Sequence, residues 1–494
     1  MGSPTAKWFV HRVFVELTHI KVGRLFIAVV VLGWIAARST AAGDEQAERP
    51  PNVVLIVADD LGWADLACYG GDLHETPNLD RLARQGIRFS DAYAAAPVCS
   101  PTRAAVMTGK HPARLHMTIW HEASANPPRN RPLIPPVTLG NLPHSETTLA
   151  EILQSAGYAT AHVGKWHLGD SAHFPNNHGF DLNIGGTHWG APPTFFYPYR
   201  GPFGRSKEPR YVPDLPFGKP GEYLTDRLTS ESLAIIDRLH DRPFFLHLAF
   251  HSVHTPIEAK AETVNHFRGK LRDGLQHRNA TYAAMVHHLD ENVGRVMDRL
   301  DELDIAEETI LLFTSDNGGY VNQYSGTRVT NNHPLRSGKG SLYEGGLRVP
   351  LIVRWPGVTP VGTTCREPVT SCDLLPTLID AVSLAAGKDQ APDGVSLLPL
   401  LEDPDATLER EAVYFHYPHY YPTTTPVSAL RVGHWKLLEY FEDQSVELYD
   451  LENDLGESRN LASAQPQRVR DLLQRLHRWR AEVGAQLPAT NAKH

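Results

Sequence analysis

Acidic, basic and imidazole side chains cluster in this chain where apolar runs end. Asp59 and Asp60 follow the run Asn52 to Ala58, and Lys165 and His167 follow Tyr158 to Gly164. His251 and His254 follow Phe244 to Phe250, and Asp316 and Asn317 follow Thr309 to Phe313. Asp59, Asp60, Asp316 and Asn317 offer hard oxygens without thiolate or imidazole, a donor set for Ca²⁺ or, less well, Mg²⁺, and not for Zn²⁺. An Asp after a strand also caps the next helix, but Asp-Asp at one run's end and Asp-Asn at another's is a ligand pattern. Between the first two runs, Cys99-Ser100-Pro101-Thr102-Arg103 leads into Ala104-Ala105-Val106-Met107. Ser100 fits an N-cap and Pro101 the first helical position, which puts Cys99 at the positive end of a helix dipole with Arg103 one turn on. An anion or an activated nucleophile is stabilised at such a place. The alternative for a bare cysteine there is a small buried hydrophobe.

These clusters can act together only if the runs are strands of one sheet. Short apolar runs alternate here with helical patterns, the signature of an α/β fold whose large, mostly parallel sheet is sandwiched by helices. Thr76-Pro77 opens a helix with Leu79, Leu82 and Ala83 on one face and Gly86 at its end. Thr148 and Glu151 stand in capping-box spacing before Leu149, Ile152 and Leu153. Tyr282, Met285, Val286, Leu289, Val293, Val296 and Leu300 keep one helical period through a long amphipathic helix. In open α/β sheets ligands sit beyond the carboxyl ends of the strands, so the four clusters are expected to converge.

Several blocks carry a family resemblance. Cys-Ser-Pro-Thr-Arg with Ala104 to Lys110 resembles the sulfatase signature. Asn52 to Trp63, Gly164-Lys165-Trp166-His167-Leu168-Gly169, Ser315 to Gly318 and Gly338 to Pro350 resemble the accompanying blocks, in the same order. The chain is thereby identified as similar to type I, formylglycine-dependent sulfatases of the alkaline phosphatase superfamily, among them N-acetylgalactosamine and other carbohydrate sulfatases. The resemblance implies that a formylglycine-generating enzyme converts Cys99 to formylglycine during maturation. One hydroxyl of the hydrated aldehyde attacks sulfur and the other later expels sulfate. It implies Asp59, Asp60, Asp316 and Asn317, with the modified Cys99, as Ca²⁺ ligands, and Arg103 and Lys165 as stabilisers of the charged diol. His167 is implied as the base that regenerates the aldehyde, and His254 and Lys339 as residues that bind sulfate oxygens and protonate the leaving alcohol. Gly338 and Gly340 flank Lys339 and let its backbone approach a ligand closely. His251 matches no such role. One further sulfate-binding residue falls ambiguously in Gly185 to Trp189, where His188 is the candidate.

The remainder resembles a smaller C-terminal domain built on an antiparallel sheet and a terminal helix. The resulting division is a signal peptide over 1–42, a catalytic domain over 43–391 and the small domain over 392–494, with Pro392 to Pro404 as linker. Val427 to Glu439 and Val446 to Asp450 read as a strand pair, and Gln467 to Val483 as the last helix. Tyr414 to Tyr421 is dense in Tyr and His. Tyr rings stack on pyranose faces, so a sugar-facing wall with His416 and His419 as substrate-binding residues is expected, against the alternative of a packed aromatic strand.

Composition narrows the function. The 494 residues are 41% hydrophobic and 21% charged, which excludes a disordered chain or a coiled coil. The formal charge of -9 argues against a nucleic-acid partner. Four cysteines cannot form a disulfide scaffold, although Cys365 and Cys372 are close enough in sequence to pair. Lys7, Arg12, Lys21 and Arg24 precede the apolar run Leu25 to Ala37, the pattern of an export signal, with a membrane anchor as the alternative. The expected product is a periplasmic or extracellular enzyme, or a lysosomal one in a eukaryote, free of the membrane once the signal is removed. Its expected reaction is hydrolysis of a sulfated carbohydrate such as a galactose or N-acetylgalactosamine sulfate. A phosphonate or phosphate ester hydrolase of the same superfamily is the alternative.

Overall fold

The strand Asn52–Ala58 (β1) is buried along its whole length and alternates between two cores. Val54, Ile56 and Ala58 face one apolar cluster, and Val53, Leu55 and Val57 face the other. An uninterrupted apolar run is what a strand covered on both sides requires. In the computed structural model, which describes residues 49–204, 207–384 and 391–494, β1 lies near the centre of an eight-stranded sheet. The leader read over residues 1–42 lies outside the described residues. Pro50–His494 form one compact unit.

The other strands are Ile87–Phe89 (β2), Ala159–Gly164 (β3), Leu182–Ile184 (β4), Phe244–Ala249 (β5), Thr309–Ser315 (β6), Leu351–Arg354 (β7) and Thr363–Cys365 (β8). Their spatial order is β8-β2-β7-β6-β1-β5-β3-β4. Only β7 runs against the rest, pairing antiparallel with both β6 and β2. The parallel register sets Ala58 beside Ser315 and Val57 beside Ala249, with Gly164 beside Ala249 on the far side. The residues after these four strands therefore leave the same edge of the sheet side by side.

Helices cover both faces. Pro77–Gln85 (α1), Leu224–Leu239 (α4) and Ala280–Glu302 (α5) close one core. Cys99–Thr108 (α2), Leu149–Ser155 (α3) and Leu374–Ala381 (α6) close the other. The Thr148–Glu151 capping box is present at α3.

A second sheet of four antiparallel strands contains Val413–Tyr417 (β9), Val427–Val432 (β10), Trp435–Tyr440 (β11) and Val446–Asp450 (β12). The run read as one strand from Val427 to Glu439 is two, because Gly433, at φ 56°, turns the chain back on itself. One face of this sheet packs with Tyr93, Val98, Leu342 and Leu347. The other packs with Leu472 and Leu476 of the terminal helix Pro466–Glu482 (α7). Within the segment read as a linker, Leu398–Glu402 is helical, and Leu400 and Leu401 join the main core. All four cysteines are free, so Cys365 and Cys372 do not pair. No helix among the described residues is long and apolar enough to cross a membrane.

Candidate active site

The sheet edge brings the charged groups together below the protein surface. Asp59 follows β1, and its amide donates to Ser252 O at 2.8 Å. Asp60 has φ 60°, a left-handed turn that lets two successive carboxylates share one space. Its amide donates to Asp316 Oδ1 at 3.2 Å. Asp59, Asp60, Asp316 and Asn317 are all buried.

Each carboxylate meets a cation. Lys165 Nζ donates to Asp59 Oδ2 at 2.7 Å, and Lys339 Nζ lies 2.6 Å from Asp60 Oδ1. Arg103 Nε donates to Asp316 Oδ2 at 2.8 Å, while its Nη1 donates to Lys165 O at 2.8 Å, so one guanidinium ties two strand ends together. Burial pushes all three carboxyls up. For Asp60 the Lys339 charge, aided by Lys165 and the Asn317 hydrogen bond, outweighs burial, and for Asp316 the Arg103 and Lys165 charges do, so both are held below the usual carboxylate range. Asp59 is pushed up to about 8, burial prevailing over Lys165.

Cys99 opens α2 with Val98 as its N-cap, two residues before the start read from Ser100 and Pro101. Ser100 does not cap the helix; its hydroxyl donates to His167 O at 2.7 Å. Cys99 Sγ lies 3.4 Å from Lys339 Nζ and 3.7 Å from Asp59 Oδ1. Its thiol is not activated by the helix end: burial pushes its pKa up to about 12 against the pull of Lys165 and Lys339. A thiol held in that state is a poor nucleophile.

The histidines are fixed by their outer nitrogens. His254 Nδ1 donates to Thr255 O at 2.8 Å, and its Nε2 lies 3.5 Å from Asp60 Oδ2. Burial lowers its pKa to about 3, so it is neutral. His167 Nε2 meets Glu122 Oε2 at 2.9 Å, and its buried Nδ1 has no partner. Its pKa is pushed down to about 4, by burial first, with Glu122 opposing. Arg210 Nη2 in turn holds Glu122 Oε1 at 3.2 Å.

A cavity of about 240 Å³ collects Asp60, Cys99, His167, His254 and Lys339 in its lining. Arg103, Lys165, Asp59, Asp316 and Asn317 lie beneath it, outside that lining. Its upper wall includes Trp120, Glu122, Arg210 and Tyr421, which the sequence reading did not single out individually. Glu122 sits in no motif, 45 residues from His167, and nothing in the sequence announces their pairing. Tyr421 could have been found, because it ends the Tyr- and His-rich segment and a Cβ on Gly340 would strike its ring.

Other expected residues lie elsewhere. His416 does not face a ligand: it is buried in β9, with Nδ1 on Ser428 Oγ and Nε2 on Gln486 O. His419 is buried and shares a 2.7 Å hydrogen bond with Thr118 Oγ1. His188 is half-buried against Trp189 and outside the catalytic cavity, whose wall takes Gly190 and Ala191 instead. His251 is buried, its Nδ1 unpartnered, beside the charges of Lys165 and Arg103.

The donors fit a hard divalent cation. Asn317 Nδ2 donates to Asp60 Oδ1 at 2.8 Å, leaving its Oδ1 buried with no partner, an orphan that a cation would satisfy. Asp59, Asp60, Cys99 and His254 present ligand atoms within 4.8 Å of one another.

The family model described as Sulfatase matches residues 51–384. The chain belongs to the sulfatase family. The C-terminal model of N-sulphoglucosamine sulphohydrolase matches residues 337–482 of this sulfatase. A sulfatase of Formosa agariphila is 33% identical, over 89% of this chain and 90% of the relative. Human N-acetylgalactosamine-6-sulfatase is 36% identical over 73% of this chain and 67% of its own length. The crystal structure of Ps i-CgsB in complex with k-i-k-neocarrahexaose superposes with a TM-score of 0.71 at 30% identity, covering 87% of this sulfatase and 93% of that chain.

Proposed function

We propose that this sulfatase hydrolyses sulfate esters of carbohydrates, with Cys99 matured to formylglycine and Ca²⁺ held by Asp59, Asp60, Asp316 and Asn317. One observation carries the reading. Cys99 sits on the floor of the cavity among two lysines, an arginine and two histidines, yet its own thiol is too deeply buried to ionise. The surroundings are built for an anion, and the thiol itself is not the group that attacks. When present, the cation polarises sulfate oxygens and the hydrated aldehyde supplies the attacking hydroxyl.

The chain's own groups supply the rest. Lys339, whose pKa its carboxylate neighbours raise against burial, stays charged, grips a sulfate oxygen and donates a proton to the departing alcohol. His254 presents Nε2 to the same site, and an arriving anion draws a proton onto it, converting an acceptor into a donor. Arg103 and Lys165 stabilise negative charge on the residue-99 side chain from beneath. His167 accepts a proton at Nδ1 while Glu122 fixes the ring through Nε2.

A carbohydrate rather than a small aryl ester is supported by the N-acetylgalactosamine-6-sulfatase and neocarrahexaose-bound relatives, although steryl-sulfatase and arylsulfatase A are as similar, and by the aromatic rings of Trp120 and Tyr421 above the charged floor. Export to an oxidising or lysosomal compartment, and the division of the chain near residue 391, belong to the same proposal.

The test is mass spectrometry of the tryptic peptide Phe89–Arg103 from active enzyme, alongside a screen of position-defined sulfated monosaccharides. The expected peptide carries an aldehyde in place of the thiol, and Cys99→Ala lowers kcat at least about 10⁴-fold. Wild-type turnover by the alanine variant would refute the reading.

A further inference from the structure

Beside the catalytic cavity lies a second cleft of about 340 Å³. Trp120 and Tyr421 line both, their ring centroids 5.9 Å apart and the planes at 85°. Beyond them the cleft is walled by Tyr420, with Pro127 and Pro136 opposite and His419 among its lining. Arg131 braces the Tyr420 ring at 5.3 Å, and the Tyr420 hydroxyl accepts from Leu133 N at 3.1 Å, so this wall is held in place. Among the described residues that line the cleft, none is Asp, Glu, Lys or Arg. The catalytic cavity next to it contains Asp60, Glu122, Arg210 and Lys339.

We propose that this cleft binds an uncharged pyranose unit joined to the sulfated sugar, so that the preferred substrate is an oligosaccharide whose neighbouring ring carries neither sulfate nor carboxylate. The proposal rests on the carbohydrate-sulfatase reading and adds to it the identity of the adjacent unit. The volume suits one ring with its substituents. Tyr and Trp faces match the C–H faces of a pyranose, and the Ser124, Asn126 and Thr138 side chains supply hydrogen bonds for hydroxyls. An anionic group there would lose its water with no counter-ion in the lining. His419 adds no positive charge, because burial keeps its ring neutral. The rings of Trp120 and Tyr421 join the two cavities, so a glycosidic link is all that is needed to place one sugar in each.

The experiment takes the sulfated monosaccharide that the matured enzyme hydrolyses best in the screen. It compares kcat/KM for that compound with its disaccharides carrying a neutral hexose or a hexuronic acid. The neutral disaccharide is expected to exceed the monosaccharide at least about tenfold, the scale of one well-packed ring contact, and to exceed the acidic one by more. Tyr420→Ala should erase most of that gain. Asn126→Lys, on the exposed rim, should shift preference toward the acidic disaccharide. Equal kcat/KM for all three compounds, or equal losses on all three in the variants, would overturn the cleft while leaving the sulfatase reading intact. Failure of every sulfated sugar in the screen would overturn both.

Discussion

Glu122→Gln isolates the one contact that orients His167 without touching the metal ligands. The carboxylate accepts from His167 Nε2 at 2.9 Å, and such charge-assisted bonds are worth about 1.5–3 kcal/mol. Glu122 is 28% exposed and divides its charge with Arg210, so solvent screening favours the lower half of that range. A loss of about 1.5–2 kcal/mol predicts a fall in kcat of roughly 10–30-fold. The sign of the pH effect follows from the causes of the His167 shift. Burial pushes its pKa down to about 4, and Glu122 pulls the other way. With the neutral ring as the proposed base, wild-type activity should fall as pH drops through about 4. The glutamine variant loses the upward pull, and its acid limb moves to lower pH although its plateau is lower. With nitrophenyl sulfate, the first equivalent of nitrophenol should still appear at the wild-type rate, because His167 serves the later proton transfer. The steady state alone should slow. An unchanged plateau, or a lowered plateau with an unmoved acid limb and no burst, would refute this role for Glu122.

Four other outcomes follow from buried charges. Stripping the enzyme with EDTA should abolish turnover until Ca²⁺ is restored. Asn317→Asp should bind the cation more tightly while raising KM for the sulfate ester, read from Ca²⁺ titrations of activity. Lys436→Met removes the ammonium that lies 2.8 Å from Glu344 Oε1 and 2.9 Å from Glu457 Oε1, both buried. It should cost about 3–5 kcal/mol in chemical denaturation, partly recovered by adding Glu457→Gln. His277 is held between Asp72 and Asp65, which raise its pKa to about 9 against burial. A raised folded-state pKa gives stability that is full below the unfolded value and lost as pH rises through about 9. His277→Ala should therefore be less stable at pH 6 and lose little more on going to alkaline pH.

The strand ends were legible because β1 and β5 are nearly pure apolar runs and β3 and β6 hold shorter apolar stretches, each followed by polar residues of unmistakable chemistry. Strand order and register are not written in such runs. Only their pairing shows that Asp59 and Asp316 leave adjacent strands. The direction of β7 was equally hidden, since Leu351-Ile352-Val353 read alike either way. His416 illustrates a different limit. Tyr and His alternate through β9 as they would on a sheet with one wet face, but α7 covers one side and the main body the other. Past the end of the strand at Tyr417 the aromatic segment reaches the second cleft, which His419, Tyr420 and Tyr421 line. Cys99 failed in a third way. The helix start beside it was read two residues late, and the dipole that should favour a thiolate is outweighed by burial.

That burial connects the charge of the whole chain to the charge of its substrate. The protein carries a formal charge of -9, yet it belongs to a family whose reaction begins by binding an anion. At the sheet edge Asp59, Asp60 and Asp316 are matched one for one by Lys165, Lys339 and Arg103. With Asp59 ionised, as a bound cation would make it despite the burial that raises its pKa to about 8, the protein groups sum to no net charge there. Asn317, the fourth oxygen donor of the proposed set, adds none, so a divalent cation held there would leave its full double charge uncompensated on the floor of the cavity. At a buried site that surplus would act at short range and reduced dielectric, and an acidic surface screened by salt would not cancel it. An aspartate at position 317 would halve the surplus, and the carboxylate that improved the metal site would weaken the anion site above it. On the proposed ligand set, the choice of amide over acid at position 317 would thus be where cation affinity is balanced against substrate affinity.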